Sequence, residues 1–187
     1  GFDISSIQLK NRVAQLPEMY QPIFGHPELT QKTSRSSNDR WKTIKQINTV
    51  ISKKLGRPLR VLDLGCSQGF FSLNLAQAGA TVTGVDFLES NIAVCKALAN
   101  EHPDFKVHFE VAKIEDILPA IQPDQYDLVL GLSVFHHLVH EHGKEVVTDW
   151  ITGLSQKIKC GIFELALKSE PLYWADKQPD KPQEILN

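Results

Sequence analysis

The chain has 187 residues, enough for one domain, or one domain with a terminal extension. A hydrophobic fraction of 42% supports a substantial core, and a net charge of −2 with a pI near 6.4 leaves no basic excess for a nucleic-acid partner. No apolar run is long enough to span a membrane and no signal peptide is visible, so direct membrane insertion is not expected.

In chain order, Ile4, Ile7, Val13 and Leu16 predict a short helix ending at Pro17. The stretch 16–27 then carries Pro17, Pro22 and Pro27 with Gly25, which exclude regular structure, while Tyr20, Ile23 and Phe24 require burial. Residues 30–39 are polar and are expected to be mobile. Ser37, Asn38 or Asp39 can cap a helix whose buried stripe is Trp41, Ile44, Ile47, Ile51 and Leu55, and Gly56 and Pro58 end it.

The next stretch organises the rest. Val61 to Leu64 read as a short buried strand, Gly65 to Gly69 as a tight turn, and Phe70 to Ala76 as the helix it feeds. Thr81 to Val85 form a second strand with Asp86 at its carboxyl end. About 20 residues beyond the first glycine is the spacing at which an acid reaches the hydroxyls of an adenosine ribose. A dinucleotide fold would use G-x-G-x-x-G to cradle a pyrophosphate. Here the spacing is Gly65-x-x-x-Gly69, and Asp63 ahead of the turn would repel an anion and attract the ammonium of a methionine moiety. This pattern resembles the first two motifs of class I S-adenosylmethionine-dependent methyltransferases, and competes with a nicotinamide enzyme and with a purely structural glycine turn.

Further on, Ile92, Cys95 and Leu98 mark a helix stopped by Pro103, Phe105 to Val111 a third strand, and 114–120 a short helix interrupted by Pro119. The apolar run 126–132 is a central parallel strand, Val147, Trp150, Ile151 and Leu154 face a helix inward, and 160–167 make a fifth strand. The expected fold is α/β, a doubly wound and mostly parallel Rossmann-like sheet that lacks the final strands of a complete class I methyltransferase. Residues 1–40 are assigned to an amino-terminal helix and cofactor lid, and 41–187 to a core truncated at its carboxyl end. Cys66, Cys95 and Cys160 are read as reduced core thiols of a cytoplasmic protein.

Beside Asp86, Phe87 and Leu88 can cover the face of an adenine, and Ala112, Lys113, Ile114 and Glu115 at the end of the third strand can bond its edge. Asn91 and Leu132 complete the cofactor-lining set. The run 133–142 follows the fourth strand and faces the methyl group. Its His136, His137, His140 and His142 admit three roles: metal ligands with Glu141, a general base (His136 or His137), or shaping of the pocket. No metal site is assigned. Arg40 could pair with the carboxylate of the methionine part.

Residues 16–28, Asp39-Arg40, 55–86, 131–143, and Glu164-Leu165-Ala166-Leu167 through Tyr173-Trp174 are similar to the methyltransferase domain of bacterial polymannose O-antigen chain-terminating methyltransferase–kinases. The resemblance implies an enzyme that ends polysaccharide growth by phosphorylating the terminal sugar and methylating that phosphate, with Tyr20, Gln21 and Arg40 closing over S-adenosylmethionine. The implied partners are a glycan or phosphoglycan acceptor and a kinase or glycosyltransferase domain in the same longer chain, at the inner-membrane face. No kinase motif follows in the sequence. A small-molecule methyltransferase and a cofactor-binding regulatory domain are the alternatives.

Overall fold

The computed structural model describes residues 4–30, 35–132, 135–164 and 171–175. Five strands run parallel: β1 (Arg60–Leu64), β2 (Thr81–Asp86), β3 (Val107–Val111), β4 (Leu128–Gly131) and β5 (Cys160–Glu164). The sheet order is β3-β2-β1-β4-β5-β6, where β6 (Pro171–Ala175) pairs antiparallel with β5. The doubly wound fold is therefore as expected, with one edge strand more than the sequence reading placed. Pro171 is tolerated there because it opens an edge strand, where its missing N–H breaks no interior ladder.

The helices are α1 (Ile4–Ala14), α2 (Arg35–Leu55), α3 (Phe70–Gln77), α4 (Glu89–Asn100), α5 (Ile114–Ile117), α6 (Phe135–His142) and α7 (Lys144–Ser155). Short 3-10 turns cover Pro27–Leu29 and Leu118–Ala120. Alternate strand residues feed two cores, as a sheet covered on both faces requires. Val61, Leu128, Leu130 and Ile162 pack with Ile44 and Ile47 of α2 and with Phe71 and Leu75 of α3. Leu62, Leu64, Val129 and Phe163 face the other way, toward Phe135, Leu138, Val147 and Ile151 of α6 and α7.

Two boundaries move. Helix α2 begins at Arg35, so Ser37, Asn38 and Asp39 lie inside it, and the expectation of a mobile stretch through residue 39 is corrected for 35–39; residues 31–34 lie outside the described residues. The apolar stripe from Trp41 onward docks the helix on the sheet, and packing carries helical structure back through a polar first turn whose own propensity is weak. Strand β3 begins at Val107 because Phe105 closes a turn on the His102 carbonyl at 3.0 Å and stacks on the His102 ring at 4.5 Å.

A third cluster joins the amino-terminal segment to this frame. Leu9, Ile23 and Phe24 pack with Leu73, Ile92, Cys95, Leu98 and Phe109. Burial of Ile23 and Phe24 contributes about 1.5–3 kcal/mol each, which holds residues 17–30, a strap, against α3 and α4.

Candidate active site

The sheet order reverses between β1 and β4, and the turn after β1 stands at that crevice. Gly65, Ser67 and Gly69 all have left-handed backbone, with φ of +68°, +51° and +81°. A Cβ on Gly69 would stand 2.9 Å from Cys95 Sγ and 3.2 Å from the Phe109 ring, so α4 and β3 behind the turn demand glycine as firmly as its φ does.

Asp86 ends β2 with only 6% of its surface exposed. Its Oδ2 accepts the Ser67 N–H at 2.9 Å, and its Oδ1 accepts the Leu88 N–H at 2.9 Å and Asn91 Nδ2 at 3.4 Å. Burial pushes its carboxyl above the ordinary value, and these three donors oppose that shift. A carboxylate offers about four lone-pair positions, so acceptor capacity remains for a further hydroxyl. Phe87 beside it is 68% exposed, an apolar ring in solvent at the crevice. A buried acid with spare acceptor capacity beside an uncovered aromatic ring fits a nucleoside.

Asp63 lies beneath the turn, 2% exposed, and accepts the Ser72 hydroxyl at 2.7 Å. Burial pushes it up to about 7; Ser72 opposes and the Asp86 charge adds. The Ala112 N–H is already spent on the Asp86 carbonyl at 3.0 Å, and the Lys113 carbonyl accepts from Asp116 and Ile117 at 3.1 and 3.2 Å. Ile114 is buried in the core, while Lys113 is exposed and Glu115 partly so. Leu132 packs in the core under α2 and α3.

The strap is bonded to the turn by a residue that sequence reasoning passed over. Gln68 is fully buried; its Oε1 accepts the N–H groups of Tyr20 and Gln21 at 3.0 and 3.1 Å, and its Nε2 donates to Asn91 Oδ1 at 2.8 Å and the Glu18 carbonyl at 3.4 Å. Gln21 returns the bond, its Oε1 capping α3 at the Phe70 N–H, 3.0 Å away. The only hint in the sequence is a long amide inside a glycine turn. Tyr20, expected to be buried, is 54% exposed, its hydroxyl donating to Glu18. That bond, then burial, then the charges of Glu18 and Asp86 push the phenol up.

Arg40 lies in the second turn of α2, half-buried, rather than at a helix start. His137 is exposed on α6. The side chain of His136, with Ser133, Val134 and Lys168, lies outside the described residues. His142 sits 5.1 Å from the Trp150 ring and 3.8 Å from Glu141. No group of three metal-ligating side chains occurs among the described residues, and none of the described helices is long and apolar enough to cross a membrane.

Comparison with known proteins gives this geometry its relatives. WbdD of Escherichia coli, an O-antigen chain terminator bifunctional methyltransferase/kinase, is 50% identical over 178 residues, 95% of this chain and 25% of that protein. The chain thus spans about a quarter of that relative's length. The ubiquinone biosynthesis O-methyltransferase of Bordetella pertussis is 38% identical over 79 residues, 42% of this chain and 32% of its own. A crystal structure of WbdD superposes with a TM-score of 0.83 at 50% identity, covering 93% of this chain and 39% of that one. The N-terminal domain of EvdMO1 with SAH bound, 18% identical with a TM-score of 0.57 over 87% of this chain and 65% of that one, shares the fold alone. A family model described as a methyltransferase domain matches residues 61–156, just over half of the chain. With the glycine turn and the strand-end acid both inside that match, the chain belongs to the methyltransferase domain family.

Proposed function

We propose that this chain binds S-adenosylmethionine across the Gly65–Gly69 turn and methylates an oxygen at the non-reducing end of a bacterial O-antigen polysaccharide, within a longer cytoplasmic protein that also carries a kinase domain. The carrying observation is Asp86, oriented by the Ser67 and Leu88 N–H groups with acceptor capacity left for a ribose hydroxyl. The 50% identity to an O-antigen chain terminator supports the acceptor class and the kinase partner.

The bound cofactor supplies a methyl group on a sulfonium, ready for in-line displacement. The chain's own work is to hold the reactants in line and keep water out. Asp86 and Asn91 serve the ribose side, and Phe87 and Leu88 the ring. Asp63, Tyr20, Gln21 and Arg40 serve the amino-acid end, with residues 1–40 acting as the lid and 41–187 as the core. His136 and His137, which follow β4, serve the acceptor. A phosphate monoester is already anionic near neutral pH, its second pKa being about 6, so it needs donors around its spare oxygens rather than a base. A sugar hydroxyl needs a base within reach. We assign the phosphate, with the histidines as donors.

Mass spectrometry of a glycan panel, with and without terminal phosphate, incubated with S-adenosylmethionine tests the acceptor; methyl appearing equally on the phosphate-free set overturns that assignment. Calorimetry with S-adenosylhomocysteine tests the site. Asp86→Ala should weaken binding by about 1–3 kcal/mol through lost charge-assisted hydrogen bonds. Unchanged affinity in a folded variant ends the role of this acid.

A further inference from the structure

We infer that Gln68 is a positioning residue: its buried amide ties the strap at Glu18–Gln21, through Asn91, to Asp86, so that affinity at the ribose depends on how the strap sits. The inference rests on the proposal that Asp86 holds the ribose. Gln68 stands between two left-handed residues, Ser67 at φ +51° and Gly69 at φ +81°, which leaves its side chain fully buried beside the strap.

Hydrogen bonding settles the orientation of the amide. Two adjacent backbone N–H groups, of Tyr20 and Gln21, converge on Oε1, so Nε2 must face the other way, toward Asn91 Oδ1 at 2.8 Å and the Glu18 carbonyl at 3.4 Å. All four of the amide's hydrogen-bonding positions are then used. Because Asn91 Oδ1 is taken as an acceptor, Asn91 Nδ2 is left to face Asp86 Oδ1 at 3.4 Å. The other oxygen of Asp86 takes the N–H of Ser67, the residue next to Gln68. The result is a closed ring of turn, α4 and strand end, to which the Gln68 amide joins the strap. A glutamine serving only to fasten the strap would need only its bonds to Glu18, Tyr20 and Gln21; here one N–H goes to Asn91 and continues the network toward the acid. Movement of the strap therefore moves the Asn91 donor that shares Asp86 with the ribose.

Substitution can separate the two halves of the amide. Gln68→Glu keeps an oxygen for the Tyr20 and Gln21 N–H groups but turns an acceptor toward Asn91 Oδ1 and the Glu18 carbonyl. Asn91→Leu breaks the next link. Calorimetry on the chain with S-adenosylhomocysteine and with methylthioadenosine, which lacks the amino-acid end, reads the ribose side with and without the methionine part. Limited proteolysis reads the strap, and thermal melting confirms folding. We expect Gln68→Glu to weaken methylthioadenosine binding about ten-fold, the size of a lost bond to a charged group, with strap protection kept. The Gln68→Glu/Asn91→Leu double variant should be no weaker than the worse single variant, because both cut one path. Methylthioadenosine affinity within two-fold of wild type in folded Gln68→Glu, or effects that multiply in the double variant, would overturn the inference while leaving the cofactor reading intact. A wild-type chain that binds neither ligand would overturn the cofactor reading, and this inference with it.

Discussion

Two buried carboxyls, Asp63 on β1 and Asp86 on the neighbouring strand β2, carry different work. Asp86 reaches the surface at the crevice, whereas Asp63 is enclosed and accepts the Ser72 hydroxyl. Burial raises Asp63 to about 7, while an unfolded aspartate titrates near 4. The folded chain therefore holds this proton longer than the unfolded chain does. Stability from this group is highest below about pH 4, falls as pH rises, and levels off above about 7. Asp63→Asn removes the titration. The stability of the Asn variant relative to wild type, measured by denaturant melts, should rise by about 1–3 kcal/mol between pH 5 and pH 8. A difference that stays flat over that range rules out a raised Asp63. A ligand ammonium nearby would draw Asp63 back to its charged form, so cofactor binding near pH 7 should release protons.

The strap shows how an irregular element is held in place without a ladder of its own. Phe24 meets the rings of His102 and Phe105 edge-on at 5.4 and 6.0 Å, and Thr30 Oγ1 accepts the Ile23 N–H at 3.1 Å. His26 bridges two carboxylates, Glu28 at 2.8 Å and Glu101 at 2.7 Å, and so ties the strap to the end of α4. Burial opposes the charged imidazole, but the bonds to Glu101 and Glu28 outweigh it and its pKa is raised. That stabilisation is complete below the ordinary histidine pKa near 6.5 and disappears as pH rises through the raised value. Cleavage within residues 17–25 should therefore be about two- to five-fold faster at pH 8.5 than at pH 6, the range for one partly exposed ion pair, and His26→Ala should remove the pH dependence. Equal cleavage rates in wild type at both pH values would mean that the apolar contacts alone fix the strap.

Across the whole molecule the sheet separates chemistry from anchoring. The carboxyl ends of β1 and β2 carry the turn and Asp86, while the amino end of β4 carries Asp127, fully buried among cations. Arg57 grips its two oxygens at 2.7 and 2.9 Å, the Arg60 N–H donates at 2.8 Å, and Lys159 stands 3.3 Å away. Burial alone would raise Asp127, but the bonds to Arg57 and Arg60 hold it well below the carboxylate range. Its contribution is present above about pH 4 and is lost only as pH falls through the lowered value. Asp127→Ala should cost about 3 kcal/mol of stability by leaving the cluster unpaired, with S-adenosylhomocysteine affinity within about two-fold of wild type. A ten-fold loss of affinity in the folded variant would show that the two ends of the sheet are coupled.

Local pattern alone determined the fold class and the cofactor turn. The apolar strands, Gly65 and Gly69 and the acid that ends β2 each record a backbone requirement that shows at short range: burial on two faces, positive φ, and a side chain at a strand end. The same pattern located the strap by its prolines and the need to bury Ile23 and Phe24. What the strap is bonded to could not be read, because Gln68 and Gln21 are ordinary polar letters until folding brings residues 47 to 49 positions apart within 3.1 Å. Asp127 falls within the apolar run 126–132, and only the strand pairing surrounds it with Arg57, Arg60 and Lys159. Helix α2 begins five residues before Arg40 for the same reason: docking of its stripe outweighs the weak propensity of a polar first turn. Apolar periodicity is written along the chain, whereas a buried polar group's partners are chosen by geometry between distant segments, and only the tertiary structure decides them.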